Sequence, residues 1–165
     1  MRSLVAPACA CVVFLCGCQG AKIPMTQLQV RQIQTRHYDI KKPKLALKAI
    51  LNVLQDEGFI PKQANSDIGF IYAVKEMDIE DARTRFWATF WHGRKDATWS
   101  KNSVIECAAN VTELSHGMRV RLSFQMKVFD NNGKVQAVET IQNPQFYQDF
   151  FSRVDKGVFL EKECV

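Results

Sequence analysis

The chain has 165 residues, with 22 Lys+Arg against 17 Asp+Glu, 47% hydrophobic and 24% charged positions. That balance excludes fibrous and intrinsically disordered classes, and the length suits one domain around one core. The net charge of +5 is mildly basic.

The N-terminus is the first informative region. Arg2 precedes an uncharged run from Leu4 to Leu15. A membrane-spanning helix needs about 20 apolar residues, so this shorter run behind a basic start reads as a secretory signal peptide over 1–17. Leu15-Cys16-Gly17-Cys18 then resembles the lipobox of bacterial lipoproteins. The resemblance implies cleavage after Gly17 and acylation of Cys18, with the protein anchored to a membrane by its lipid. Gln19-Gly20-Ala21-Lys22 lacks the Asp that retains enterobacterial lipoproteins at the inner membrane. It therefore implies the outer membrane, facing the periplasm. Residues 18–26 read as a tether, and 27–165 as a single α+β domain.

Along that domain, Leu28, Val30 and Ile33 alternate partially with polar residues and predict a half-buried strand over 27–36, with an irregularity near Gln32. Charge is densest over 36–44, which reads as a solvated turn before a helix. Pro43 opens that helix, Leu47, Ile50, Leu51 and Leu54 form its apolar face, and Gly58 closes it. Two short strands are expected over 59–64 and 68–75, the first at a sheet edge because Pro61 cannot donate to a ladder. The segment 78–91 fits a helix capped by Asp78 or a strand with Trp87, Thr89 and Trp91 on one side. A polar loop over 93–102 follows.

Strands are predicted over Ser103–Leu114 and 117–130. In the second, Met118, Val120, Leu122, Phe124, Met126 and Val128 alternate strictly with Arg119, Arg121, Ser123, Gln125 and Lys127. Asn132-Gly133 marks a hairpin leading into a third strand over 134–141. Asn143-Pro144 starts a final helix carrying Phe146, Tyr147, Phe150, Phe151, Val154 and Val158. The order predicts an antiparallel sheet packed against N- and C-terminal helices.

Catalytic motifs are missing. His37, His92 and His116 lie far apart, with no H-E-x-x-H, no C-x-x-C beyond the leader, no G-x-S-x-G and no Gly-rich phosphate loop. The chain therefore reads as a non-enzyme without metal or cofactor. Asp56-Glu57 reads as a solvated helix end. With Cys18 acylated, Cys107 and Cys164 are either a disulfide or two free thiols. A bridge would contribute about 4 kcal/mol by constraining the unfolded chain. Phe86, Trp87, Phe90 and Trp91 cluster in one short run. They either cover the core or form a partner-binding or membrane-contacting edge.

Residues 49–59 with 67–73 resemble a helix–"L-Q-D-x-G-F"–strand pattern, and Tyr147-Gln148-Asp149-Phe150-Phe151 with Phe159-Leu160-Glu161 resembles the closing helix of the same proteins. These are small proteobacterial outer-membrane lipoproteins for which no catalytic residues are known. A looser likeness is to the helix-grip domains of the lipoprotein in the outer-membrane barrel-assembly machinery. The resemblance implies a helix-grip-like two-layer sandwich. Its expected role is an adaptor or accessory subunit that binds an envelope protein and no nucleic acid. The alternative is a module binding a small apolar ligand between sheet and helices, near Phe59, Phe124 and Phe150.

Overall fold

The structure, a computed structural model, describes residues 25–77, 103–130 and 132–163. The expectations for residues 1–24 and for 78–102 therefore lie outside the described residues.

Described elements run α1 (Gln27–Ile33), β1 (Thr35–Tyr38), α2 (Pro43–Asp56), β2 (Ile60–Asn65), β3 (Phe70–Met77), β4 (Ser103–Leu114), β5 (Gly117–Phe129), β6 (Val135–Thr140) and α3 (Pro144–Glu163). The strands form one antiparallel sheet in the order β1-β5-β4-β3-β2, with β6 also pairing β5. Helices α2 and α3 lie together on one face, so the fold is the expected α+β arrangement. Strand β2 is an edge, and its pairing shifts register between Pro61 and Gln63, as a residue without an amide donor requires.

One expectation is corrected at the start. Residues 27–33 form a helix, and only 35–38 form a strand. The cause is local: Thr26 Oγ1 accepts from the Gln29 amide at 3.4 Å, and Gln29 Oε1 accepts from the Thr26 amide at 2.8 Å. This capping box satisfies donors that a strand would have sent to a neighbour. Such a short helix is not stable by propensity alone; burial of Val30 docks it.

Helix α2 ends as its sequence implies. The Gly58 amide donates to Gln55 C=O and the Phe59 amide to Leu54 C=O, both at 2.9 Å, a Schellman arrangement sealed by the buried Leu54 and Phe59 side chains. The last turn of α2 carries no basic residue. The deficit is met from the sheet, where Lys75 Nζ donates to Glu57 C=O at 2.7 Å. Glu57 is not a solvated helix end: its carboxylate pairs with Arg153 of α3.

At the other end of the sheet, the expected hairpin forms at Asn132-Gly133. The Gly133 amide donates to Asp130 C=O at 3.0 Å, and Asp130 Oδ1 accepts from the Asn132 and Lys134 amides. Asn143 caps α3, its Oδ1 accepting from the Gln145 and Phe146 amides at 2.9 and 3.3 Å.

The core lies between the sheet and the two long helices. Met118, Val120, Leu122, Phe124 and Met126 of β5 all point into it, which is the alternation visible in the sequence. Phe124 is its centre, with ring centroids 5.0 Å from Phe146, 4.9 Å from Phe150 and 6.1 Å from Phe59. Burying side chains of this size contributes about 1.5–3 kcal/mol each. Helices α2 and α3 also touch at Gly157, where an added Cβ would stand 3.4 Å from Ala49 Cβ and 3.5 Å from Val53 Cγ2. That is ordinary contact, so Gly157→Ala is expected to raise stability by about 0.5–1 kcal/mol through helix propensity. A lower melting temperature in calorimetry would show that the helices need closer approach than this.

Two strands share one edge of β5, and the seam between them is closed by a single phenol. β1 pairs residues 118–121 and β6 pairs residues 125–129. Between them the Leu122 amide donates to Gln34 C=O and the Ile141 amide to Phe124 C=O, both at 2.9 Å. Tyr147 Oη accepts from the Phe124 amide at 3.3 Å and from Gln34 Nε2 at 3.2 Å, and donates to Ile141 C=O at 3.1 Å. The phenol thereby partners the Phe124 amide, the Gln34 side chain and the Ile141 carbonyl at this buried seam. Burial pushes the Tyr147 phenol up to about 12, with hydrogen bonds from Gln34 and the Phe124 amide acting against the rise. The hydroxyl stays protonated and keeps its donor role.

Candidate functional site

Strand alternation that sends apolar residues toward the helices sends Arg119, Arg121, Ser123, Gln125 and Lys127 of β5 to the opposite face. Glu106, Ala108, Asn110 and Thr112 of β4 and Tyr72 of β3 join them through the antiparallel register. Among the described residues, α1 stands at the rim of this face.

Two hollows lie between α1 and the strands. One has a volume of about 410 Å³ and is lined by residues including Gln34, Tyr72, Glu106, Gln125 and Thr140. The other, about 720 Å³, is lined by residues including Leu28, His37, Asn110, Thr112 and Arg119. Arg31 and Arg121 line both, so the two hollows adjoin and make the two ends, different in character, of a groove beside α1.

The first end is a satisfied polar cluster. Glu106 sits opposite Gln125 in the β4–β5 register and accepts from Gln125 Nε2 at 2.6 Å and Lys127 Nζ at 2.7 Å. Burial by itself would raise the Glu106 carboxyl. Hydrogen bonds from Lys127, Gln125 and Tyr72 outweigh it and hold the group below the usual carboxylate value. Tyr72 responds in the opposite sense, raised first by burial and then by its bond to Glu106.

This linkage has a sign. A depressed carboxylate stabilises the fold fully above its ordinary pKa, and that contribution is lost as pH falls through the lowered value. Glu106→Gln is therefore expected to flatten the acid limb of the stability profile. Urea midpoints measured from neutral pH down to about pH 3, below ordinary carboxylate values, are the check. Parallel wild-type and variant profiles would remove Glu106 from the acid response.

The second end is basic. Arg31, His37, Arg119 and Arg121 are exposed. Among the described residues none of the three guanidinium groups pairs with a carboxylate. Arg121 Nη2 donates to Gln34 Oε1 at 3.3 Å, which ties the groove to the Tyr147 seam. The neighbouring Arg36 is different: it turns to the helix side, meeting Asp155 at 2.8 Å and lying 5.4 Å from the Phe151 ring centroid. Tyr38 Oη also donates to Asp155, at 2.8 Å. Part of the dense basic segment thus fastens β1 to α3.

The candidate residues taken from the sequence are distributed differently. Cys18, Phe86, Trp87, Phe90, Trp91 and Cys164 lie outside the described residues. Among the described residues Cys107 is joined to no other cysteine; it is fully buried in the core, and burial pushes its thiol pKa up. Phe59 and Phe150 both pack edge-on against Phe124. Glu106 was missed by sequence reasoning, although counting back from the Ser115-His116 turn places it opposite Gln125 and beside Lys127.

Among the described residues no group of His, Cys, Asp and Glu is arranged to hold a metal ion, and no helix is long and apolar enough to cross a membrane. No family model and no curated protein sequence matches the chain.

Proposed function

We propose that the chain is a non-enzymatic, lipid-anchored adaptor of the bacterial outer membrane, lipidated at Cys18. Its open sheet face docks a protein of an envelope transport, secretion or assembly complex. The observation that carries this reading is the groove beside α1, whose exposed guanidinium groups pair with no carboxylate among the described residues. Surface charge left in that condition is suited to meeting a partner. The packed contacts of Phe124 with Phe59, Phe146 and Phe150 weigh against the alternative of a small apolar ligand between sheet and helices.

The two halves of the proposal have separate tests. Cys18→Ser is expected to abolish the lipid mass on the intact protein and release it from lipid fractions. Unchanged fractionation would remove the anchor. For docking, a photo-crosslinking residue at Thr112, exposed on the open face, is compared in cells with one at Gln148, exposed on α3. A stoichiometric envelope protein captured from Thr112 and not from Gln148 is the expected result. Recovery of monomer alone from both positions would end the adaptor reading.

A further inference from the structure

The basic end of the groove has a repeat built into it. Arg119 and Arg121 stand two residues apart on one face of β5, a spacing of about 6.6–7 Å in an extended strand. Their neighbours across the ladders are His37 and Thr112 for Arg119, and Thr35 and Asn110 for Arg121. None of these is acidic. Cross-strand partners usually compensate such charges, and like charges side by side destabilise a sheet. Arg31 adds a third guanidinium from α1. The concentration of one sign in a concave site, with no carboxylate paired to these arginines among the described residues, favours an external counter-charge.

The shape selects among anions. A flat bilayer surface meets protrusions, whereas these arginines line a hollow of about 720 Å³, and Arg31 and Arg121 also border a second one. An extended peptide has side chains on one face at the same two-residue repeat as β5. Acidic residues at alternate positions would therefore meet Arg119 and Arg121 in register. Asn110, Thr112 and Thr35 between them offer hydrogen bonds to a main chain. Leu28, 73% exposed on the α1 wall, offers an apolar contact.

We infer that this groove binds an extended acidic segment of a partner protein, with carboxylates at alternate positions held by Arg119 and Arg121 and flanked by Arg31. The inference rests on the adaptor reading and names the chemistry of its partner.

The test uses the purified full-length protein in a neutral detergent and a fluorescent peptide of alternating Glu and Ser, read by polarisation at low salt. Matched Gln-Ser and Lys-Ser peptides are controls. The Glu-Ser peptide is expected to bind and to be displaced by added salt. Arg119→Gln/Arg121→Gln should weaken binding about tenfold, the combined effect of two exposed ion pairs within their usual range. Arg119→Glu/Arg121→Glu should reverse the preference toward Lys-Ser. Both pairs of substitutions are on exposed positions, and unchanged melting curves confirm that folding is intact.

Equal binding of the Gln-Ser peptide, or an undiminished Glu-Ser affinity in the Gln variant, overturns the inference. Binding of a soluble short-chain phosphatidylglycerol in place of the acidic peptide also overturns it, making the groove a lipid site. A partner crosslinked at Thr112 without acidic-peptide binding removes the groove chemistry and leaves the adaptor reading standing. Acidic-peptide binding without a crosslinked partner does the reverse.

Discussion

Phe124→Ala is expected to lower the stability of the domain by about 3–5 kcal/mol, the usual cost of deleting a buried ring. Phe124 is completely buried and has edge-on contacts with Phe59, Phe146 and Phe150. Those contacts join β5 to both ends of the fold, since Phe59 follows α2 and the other two rings belong to α3. The helices and sheet cannot close over the space without losing register, so much of the cavity should persist. Domains of this size are stable by only about 5–15 kcal/mol, and the variant should be close to unfolding at moderate temperature. Phe159→Ala is the control: Phe159 is 61% exposed, and its loss should cost well under 1 kcal/mol. Urea titrations of both variants give the comparison. A loss below about 1 kcal/mol for Phe124→Ala would mean that the core is not packed as described.

Gly117→Ala has the second large expected effect. Gly117 begins β5 at φ +101°, and a Cβ there would stand 2.2 Å from the Tyr38 carbonyl oxygen. The backbone conformation alone costs an alanine about 1–2 kcal/mol. The carbonyl belongs to β1, so relief of the clash requires β1 to move from β5. That movement would strain the Tyr38–Asp155 and Arg36–Asp155 contacts that hold β1 to α3. A total loss of about 3 kcal/mol or more is expected, at the upper end for a single backbone substitution. Gly133→Ala isolates the steric part, because Gly133 has φ +76° with nothing within 4 Å of an added Cβ. It should show the conformational cost alone. Equal losses for the two would place no close approach at Gly117.

The same substitution bears on the groove. His37 and Thr35 of β1 stand beside Arg119 and Arg121, so displacement of β1 should loosen the basic end while leaving the Glu106 cluster on β3–β5 intact. Acidic-peptide binding by Gly117→Ala protein, at a temperature where it remains folded, should therefore fall. The acid limb of its stability profile should keep its slope.

Much of the frame was legible before the structure because its signals are local. Pro43 and Gly58 bracket α2, Asn143-Pro144 starts α3, and six alternating apolar residues define β5; each feature depends on backbone geometry or burial within a few residues. The polar face carrying Arg119 and Arg121 was visible in the same alternation. α1 was misread because Leu28, Val30 and Ile33 fit a strand's partial alternation, and the decisive contacts were the Thr26–Gln29 capping bonds. The remainder came from pairing distant segments. Gln34 meets Tyr147 across 113 positions, and Arg36 meets Asp155 across 119; no local pattern records either. The division of the β5 edge between β1 and β6, and the convergence of Arg31 with Arg119 and Arg121, arise only when α1 and the sheet are packed. Local residue preferences determined the elements. The groove was decided by tertiary structure, because burying the apolar face of the sheet against α2 and α3 left the polar face, and the guanidinium groups upon it, on the other side.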